Sequence, residues 1–188
     1  LENPYKEDDQ ALVFTGAMDY WANVDAVRWF ADEVFPRVRA RHPNAAFYIV
    51  GGKPTPQVRE LARRDGIVVT GRVPDVRPYV KYARAVVCPL RIARGVQNKV
   101  LEGMAMARPV VASPEAFEGI DARPGEELIV ADGRDAFVDA VTQILDGGHD
   151  RALGRRARVR VVENYGWERN LDILDRLLLG TQAHAGGP

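Results

Sequence analysis

Short unbroken apolar runs alternate with longer stretches at helical spacing along this chain. Leu12-Val13-Phe14-Thr15 predicts a buried strand, stopped by Gly16. A helix follows over residues 23–41, where Val27, Phe30, Ala31, Val34, Phe35 and Val38 form one apolar stripe. Pro36 lies inside it and should bend or divide it. Ala46-Phe47-Tyr48-Ile49-Val50 is the next strand, ended by Gly51-Gly52, and Pro56 suits the first turn of a helix over 56–64. Ile67-Val68-Val69-Thr70 is a third strand, ended by Gly71; Pro74-Asp75 opens a short helix through Tyr82; Ala85-Val86-Val87-Cys88-Pro89 is a fourth strand. Beyond it come a polar loop at 91–97, a helix from Asn98, and a strand around Val110-Val111-Ala112. Residues 127–130 read as a small sixth strand, 134–146 as a helix broken by Gly147-Gly148, and 151–165 and 167–179 as two further helices.

Strand and helix alternate throughout, and the strands are continuous apolar runs. Both features indicate an α/β, Rossmann-like parallel sheet with helices on both faces. Ligands of such sheets sit at the carboxyl ends of the strands, where the strand order switches. The loops after Thr15, Val50, Thr70 and Pro89 are therefore the candidates.

Composition adds limits. The 188 residues are 46% apolar and 28% charged, ordinary for one globular domain. The formal net charge is zero, so nothing global favours nucleic acid or a membrane, and any anion site must be local. Cys88 is the single cysteine, which excludes an internal disulfide and fits a reducing, cytoplasmic compartment. No apolar run is long enough to span a bilayer, and the polar start does not read as a signal peptide. The chain begins at Leu1 rather than at methionine, which suggests a fragment or a processed product. Residues 1–10 read as a linker or remnant, 11–180 as the domain, and 181–188 as a disordered tail.

The loop at 91–98 carries Arg91, Arg94, Gly95, Gln97 and Asn98, with Lys99 one residue on. A helix start with free N–H groups and nearby cations suits a phosphate, and Gly95 permits close backbone approach. A solvated loop with Asn98 as a helix cap accounts for the same residues equally well. Glu102 could accept two hydrogen bonds from the vicinal hydroxyls of a ribose, or be an exposed helical glutamate; periodicity does not choose.

Other chemistries find little support. No G-x-G-x-x-G follows the first strand, against a nicotinamide dehydrogenase, and no Walker A sequence is present. His42, His149 and His184 lack metal-ligand spacing, so no metal site is expected. Cys88 reads as core rather than nucleophile. Arg151, Arg155, Arg156, Arg158 and Arg160 read as a solvated face, with an anionic membrane surface or an acidic partner domain as the alternative. Tyr20, Trp21, Trp29 and Trp167 read as core or domain-contact aromatics.

Several motifs carry a family resemblance: Phe14-Thr15-Gly16; Tyr48-Ile49-Val50-Gly51-Gly52; Val69-Thr70-Gly71-Arg72-Val73-Pro74-Asp75; and, most specific, Lys99-Val100-Leu101-Glu102-Gly103-Met104-Ala105-Met106-Ala107-Arg108-Pro109-Val110-Val111-Ala112-Ser113. Glu118-Gly119-Ile120, Glu127-Leu128-Ile129-Val130 and Tyr165-Gly166-Trp167-Glu168 fit the same pattern. With these, the chain resembles the C-terminal, nucleotide-sugar-binding domain of a GT-B glycosyltransferase of the retaining group 1 (family four) kind. Phe14-Thr15-Gly16-Ala17-Met18-Asp19-Tyr20 and Gln97-Asn98-Lys99 give a narrower likeness to the sugar transferases of exosortase-type exopolysaccharide systems.

The resemblance implies one half of a GT-B fold and a role for each matching position. Glu102 would hold the ribose hydroxyls of the donor nucleotide. Gly71, Arg72 and Val73 would cradle the base, Gly16 would let the diphosphate approach, and Gly95 with the helix start at Asn98 would meet the distal phosphate and sugar. It also implies an N-terminal acceptor domain that supplies much of the catalytic machinery, so catalytic residues are not assigned in this half. Two departures stand out. Arg94 occupies the place, eight residues before Glu102, where the family usually has a glutamate; Ala17 and Asn23 stand where it often has cations. Arg94 and Lys99, with Arg91, are the expected replacements on the diphosphate.

The expected function is donor binding in an enzyme that moves a sugar from a nucleoside diphosphate to an acceptor hydroxyl, in polysaccharide or glycoconjugate synthesis. No cofactor, metal or nucleic acid is expected, and this half alone should bind nucleotide weakly and turn nothing over. A nucleotide-sugar 2-epimerase half and a non-catalytic interaction domain are the competing readings.

Overall fold

The computed structural model describes residues 1–148 and 151–165, with the side chain of Arg151 left aside. Expectations for His149, His184, Trp167, the helix at 167–179 and the tail at 181–188 fall outside the described residues.

Six parallel strands form one sheet in the order β3-β2-β1-β4-β5-β6. They are β1 (Gln10–Thr15), β2 (Ala45–Val50), β3 (Ile67–Gly71), β4 (Ala85–Cys88), β5 (Val110–Ala112) and β6 (Ile129–Val130). Leu12 lies beside Phe47 on one flank and Ala85 on the other, so β1 is at the centre. The chain moves outward from β1 through β2 to β3, then crosses back to lay β4 on the other side of β1. That reversal opens a crevice at the carboxyl ends of β1 and β4.

Burial explains why these strands are unbroken apolar runs: every residue of β2 and β4 is buried, because helices cover both faces. Phe30 packs on Phe47 with ring centroids 4.7 Å apart, and on Phe137 at 6.3 Å, knitting the first helical segment to the sheet and to a late helix.

The stripe expected at 23–41 is one helical run with a changed pitch. α1 (Trp21–Trp29) passes into a π-helical turn (Phe30–Val34) and then α2 (Phe35–Arg41). Pro36 has no N–H and its ring crowds the carbonyl one turn back. The chain answers by widening the preceding turn, where the Phe35 N–H reaches the Phe30 carbonyl. Pro36 therefore reshapes the helix without stopping it.

The remaining helices are α3 (Pro56–Leu61), α4 (Arg77–Tyr82), α5 (Asn98–Ala105), α6 (Pro114–Phe117), α7 (Gly133–Leu145) and α8 (Arg151–Tyr165). The short α6 is absent from the sequence expectation; Ser113 caps it by accepting the Ala116 N–H at 3.2 Å. The small sixth strand is shorter than expected, Ile129–Val130. Ahead of β1, Tyr5 is buried against Tyr48 and Tyr79 and donates its hydroxyl to the Tyr79 carbonyl.

The arginine-rich α8 behaves differently from a free basic face. Arg156 donates to the Glu126 carbonyl at 2.6 Å, Arg158 to the Ala105 carbonyl at 3.0 Å, and Arg160 to the Glu127 carboxylate at 3.0 Å. A Cβ on Gly154 would lie 2.2 Å from the Ala107 carbonyl oxygen. Gly154 and Arg158 thus hold α8 close across the carboxyl end of α5, while Arg156 and Arg160 tie it to the segment ahead of β6. A sequence pattern shows their charge but not the distant groups that receive them.

Candidate functional site

Two glycines shape the crevice between β1 and β4. A Cβ on Gly51 would fall 1.7 Å from the Gly16 carbonyl oxygen, so the turns after β1 and β2 touch backbone to backbone. A Cβ on Gly16 would come 2.7 Å from Asn23 Nδ2, at the start of α1. Only glycine at these places lets the three segments meet. On the other wall, a Cβ on Gly103 would lie 2.8 Å from a Val110 methyl, which is why α5 can sit low on β4 and β5. Val100 and Met104 are fully buried beneath it, leaving Lys99 and Glu102 on the side that faces the crevice.

The result is an open cavity of about 560 Å³ at the carboxyl edge. Gly16, Asn98, Lys99 and Glu102, all expected site residues, line it. Ala17, Asn23, Gly51, Gly52, Val76, Val96 and Gln97 join them. Gly71, Arg72, Val73, Arg94 and Gly95 do not line it; Gly71 ends β3 and the other four stand on loops. The β3–α4 loop enters the lining through Val76, three residues past the expected Val73.

Lys99 is the chemical centre of this wall. Its ammonium donates to Asn23 Oδ1 at 3.1 Å and lies 5.1 Å from the centroid of the buried Phe14 ring. Asn23 Nδ2 in turn donates to the Ala17 carbonyl at 2.9 Å, fixing which amide oxygen Lys99 meets. Burial pulls the Lys99 pKa below the ordinary lysine value, while Cys88 and Glu102 work the other way. An ammonium has three donors, and the protein supplies it with one neutral acceptor and an aromatic face. It faces the cavity with Glu102 acting on it from one turn along α5 and, among the described residues, no carboxylate in direct ion-pair contact.

Around it, the remaining cations are differently placed. Arg91 is held by a two-pronged ion pair to Asp25 on α1, so it is spent on structure. Arg94 is exposed at the rim. α5 begins at Asn98, with Gln97 at its N-cap and no side chain closing the cap. Asn98 is thus the first helical residue and not the cap. The uncapped helix start opens towards the same cavity as Lys99.

Glu102 stands one turn along α5 from Lys99. It is open to the cavity, yet the walls displace enough water to push its carboxyl above the ordinary glutamate value, with Lys99 opposing. Cys88, buried below, is pushed up to about 12 by burial, so it is a core thiol at neutral pH.

Elsewhere, a smaller cavity of about 300 Å³ lies at the amino ends of the strands. Two pairs of its polar groups are already matched: Tyr48 donates to Asp9 at 2.5 Å and Arg39 pairs with Asp65 at 2.7 Å. His42 pairs with Asp146 at 3.3 Å. Among the described residues no group of three or more His, Cys, Asp or Glu could hold a metal ion, and no helix is long and apolar enough to cross a membrane.

The sequence motifs missed Asn23 as a positive contributor. It read as a lost cation, but it lies at the foot of α1 and receives Lys99 from α5, a contact across 76 residues. A contact of that length leaves no local pattern.

The model of the family described as "Glycosyl transferases group 1" matches residues 9–147. Among solved structures, the chain is similar to TarM of S. aureus, in complex with Fondaparinux, alpha-GlcNAc-glycerol and UDP, at 16% identity and TM-score 0.73, covering 92% of this chain and 36% of that one. It is similar to the sucrose-phosphate synthase of Thermosynechococcus elongatus at 21% identity and TM-score 0.71, covering 94% and 47%. A third is HepE of Anabaena in complex with UDP, at 12% identity and TM-score 0.71, covering 90% and 49%. The chain spans less than half the length of each of these three structures. No curated protein matches it in sequence.

Proposed function

The chain belongs to the group 1 glycosyl transferases, and we propose that it is the donor half of such an enzyme, binding a nucleoside diphosphate sugar in the crevice between β1 and β4. Lys99 carries the reading: a half-buried ammonium with one neutral acceptor, facing a cavity of about 560 Å³ beside an uncapped helix start. A diphosphate supplies what this arrangement lacks, since its oxygens accept from the ammonium and from the first N–H groups of α5. Glu102, one turn further on, accepts the two ribose hydroxyls, and the β3–α4 loop with Val76 borders the base. UDP in the complexes of TarM and HepE, which share the fold, is consistent with such a ligand.

In the intact enzyme, charge builds on the diphosphate as the sugar leaves, and Lys99 with the α5 N-terminus stabilises it electrostatically. Acceptor binding and the rest of the catalytic groups belong to a second domain, and the product is a polysaccharide or glycoconjugate formed with retained configuration.

A thermal-shift panel of nucleoside diphosphates tests the reading. A ligand at 100 times its Kd should add about 2.7 kcal/mol to folding stability. At least one nucleoside diphosphate should raise Tm in a concentration-dependent way while the matching nucleoside does not. A panel in which no diphosphate moves Tm overturns the proposal.

A further inference from the structure

We infer that Asn23 is a positioning residue for the diphosphate: its amide oxygen aims the Lys99 ammonium into the crevice and, being neutral, leaves the charge of that ammonium to the ligand. The inference rests on the donor reading above and adds to it a residue that acts through Lys99.

The amide has a single workable orientation. Asn23 lies in the first turn of α1, lines the cavity and is only 5% exposed. The Ala17 carbonyl can only accept, so it takes Nδ2 at 2.9 Å and turns Oδ1 towards Lys99 at 3.1 Å. That carbonyl is itself held in place. On one side of it the Gly16 N–H donates to the Val50 carbonyl at 3.1 Å, and on the other the Met18 N–H donates to the Gly52 carbonyl at 2.9 Å. The Asn23 backbone N–H donates to the Tyr20 carbonyl at 3.0 Å, which fixes the other end of the side chain. The amide therefore joins the turn after β1 to α5, and its direction is set by the protein before a ligand arrives.

Charge distinguishes this post from a plain structural contact. The carboxylates nearest to Asn23 along the chain are Asp19 and Asp25, and each is committed to another cation: Asp19 to Lys53 at 3.4 Å, Asp25 to Arg91. The group that does meet Lys99 is the neutral one between them. An aspartate at this place would match the shape of asparagine, close an ion pair with Lys99 and repel a phosphate. With the amide on one side and the Phe14 ring on another, the remaining N–H donors of Lys99 are left for the cavity.

Titrations followed by nuclear magnetic resonance, which reads weak affinities, test this with the uridine, guanosine, adenosine, cytidine and thymidine diphosphates. The proteins are the wild-type chain, Asn23→Ala, Asn23→Asp, Lys99→Met and the double variant of Asn23→Ala with Lys99→Met, each checked for folding by urea unfolding. On the base that binds best, Asn23→Ala should weaken the diphosphate about threefold to tenfold, and Asn23→Asp about tenfold beyond that. Both variants drop the bond to Ala17, so the difference between them reads the charge beside Lys99. In the Lys99→Met background, Asn23→Ala should change affinity by less than about twofold, because the group it positions is gone. An equal loss in both backgrounds overturns the inference, since Asn23 then only supports the fold. Binding by Asn23→Asp as tight as by Asn23→Ala overturns it too. The wild-type chain decides the matter even where a variant does not fold: the Asn23 side-chain amide signals should shift as diphosphate is added, and signals that stay in place overturn the inference. Unchanged affinity in the Asn23 variants beside a loss in Lys99→Met overturns the inference and leaves the donor reading standing. Failure of every diphosphate to bind the wild-type chain overturns both.

Discussion

Replacing Lys99 by methionine separates binding from folding at one atom. Methionine keeps the length and apolar contact of the lysine stem against Phe14 but removes the ammonium. In the free protein the change should cost little. Burial already disfavours the charged form of Lys99, and the loss of its single bond to Asn23 at 3.1 Å offsets the relief. Each term is on the order of 1 kcal/mol, so stability should stay within about 1 kcal/mol of wild type in urea unfolding. Binding should change far more. A charge-assisted contact to a phosphate in a half-buried site contributes about 2–3 kcal/mol, which is roughly 30- to 150-fold in Kd. Calorimetry with a nucleoside diphosphate reads that loss directly, and the matching nucleoside serves as the control, with unchanged affinity. Binding within threefold of wild type would refute the assignment of the diphosphate to Lys99. So would equal weakening of the nucleoside, which would mean that the substitution disturbs the whole cavity.

Glu102→Gln should weaken a nucleoside diphosphate about tenfold at neutral pH, because a carboxamide accepts through one oxygen where a carboxylate accepts through two. In wild type, burial raises the Glu102 pKa, so ionised Glu102 weighs against folding above the unfolded value and the penalty lifts as pH falls through the raised one. Nucleotide affinity should therefore decline on acidification from a pH above the ordinary glutamate range, and Glu102→Gln should flatten that dependence; an unchanged profile in the variant would assign the titration to another group. Gly51→Ala would set a methyl 1.7 Å from the Gly16 carbonyl, and should destabilise the fold by about 1–3 kcal/mol in urea unfolding and weaken nucleotide binding as well. Cys88, raised to about 12, should resist alkylation at pH 8 in the native protein and react on unfolding.

The fold was legible because its determinants are local. Continuous apolar runs at Leu12-Val13-Phe14 and Ala46-Phe47-Tyr48-Ile49-Val50, each closed by glycine, read as strands buried on both faces, and they are. Glycines and prolines punctuate the elements closely enough that most boundaries fall within a few residues. The π-helical turn at Phe30–Val34 was half legible: Pro36 announces a disturbance, but whether the helix bends, ends or widens depends on how Phe30 and Phe35 pack against Phe47. The cavity was legible in the helix carrying Lys99 and Glu102, where one helix face positions both groups. The rest of it was not, because it is made by meetings between distant segments. Asn23 receives Lys99 from α5, Gly51 touches Gly16, and Asp25 takes Arg91 out of the set of free cations. α8 makes the same point, since Arg156 and Arg158 end on carbonyls that have no signature in sequence.

A crystal structure of this chain with uridine diphosphate tests the central claim most directly, since it locates each part of the ligand. The account predicts the ribose hydroxyls on the Glu102 carboxylate, the phosphates against Lys99 Nζ and the first N–H groups of α5, and the base beside the β3–α4 loop. A nucleotide seated in the crevice with its phosphates away from Lys99, or bound instead in the cavity at the amino ends of the strands, would contradict it.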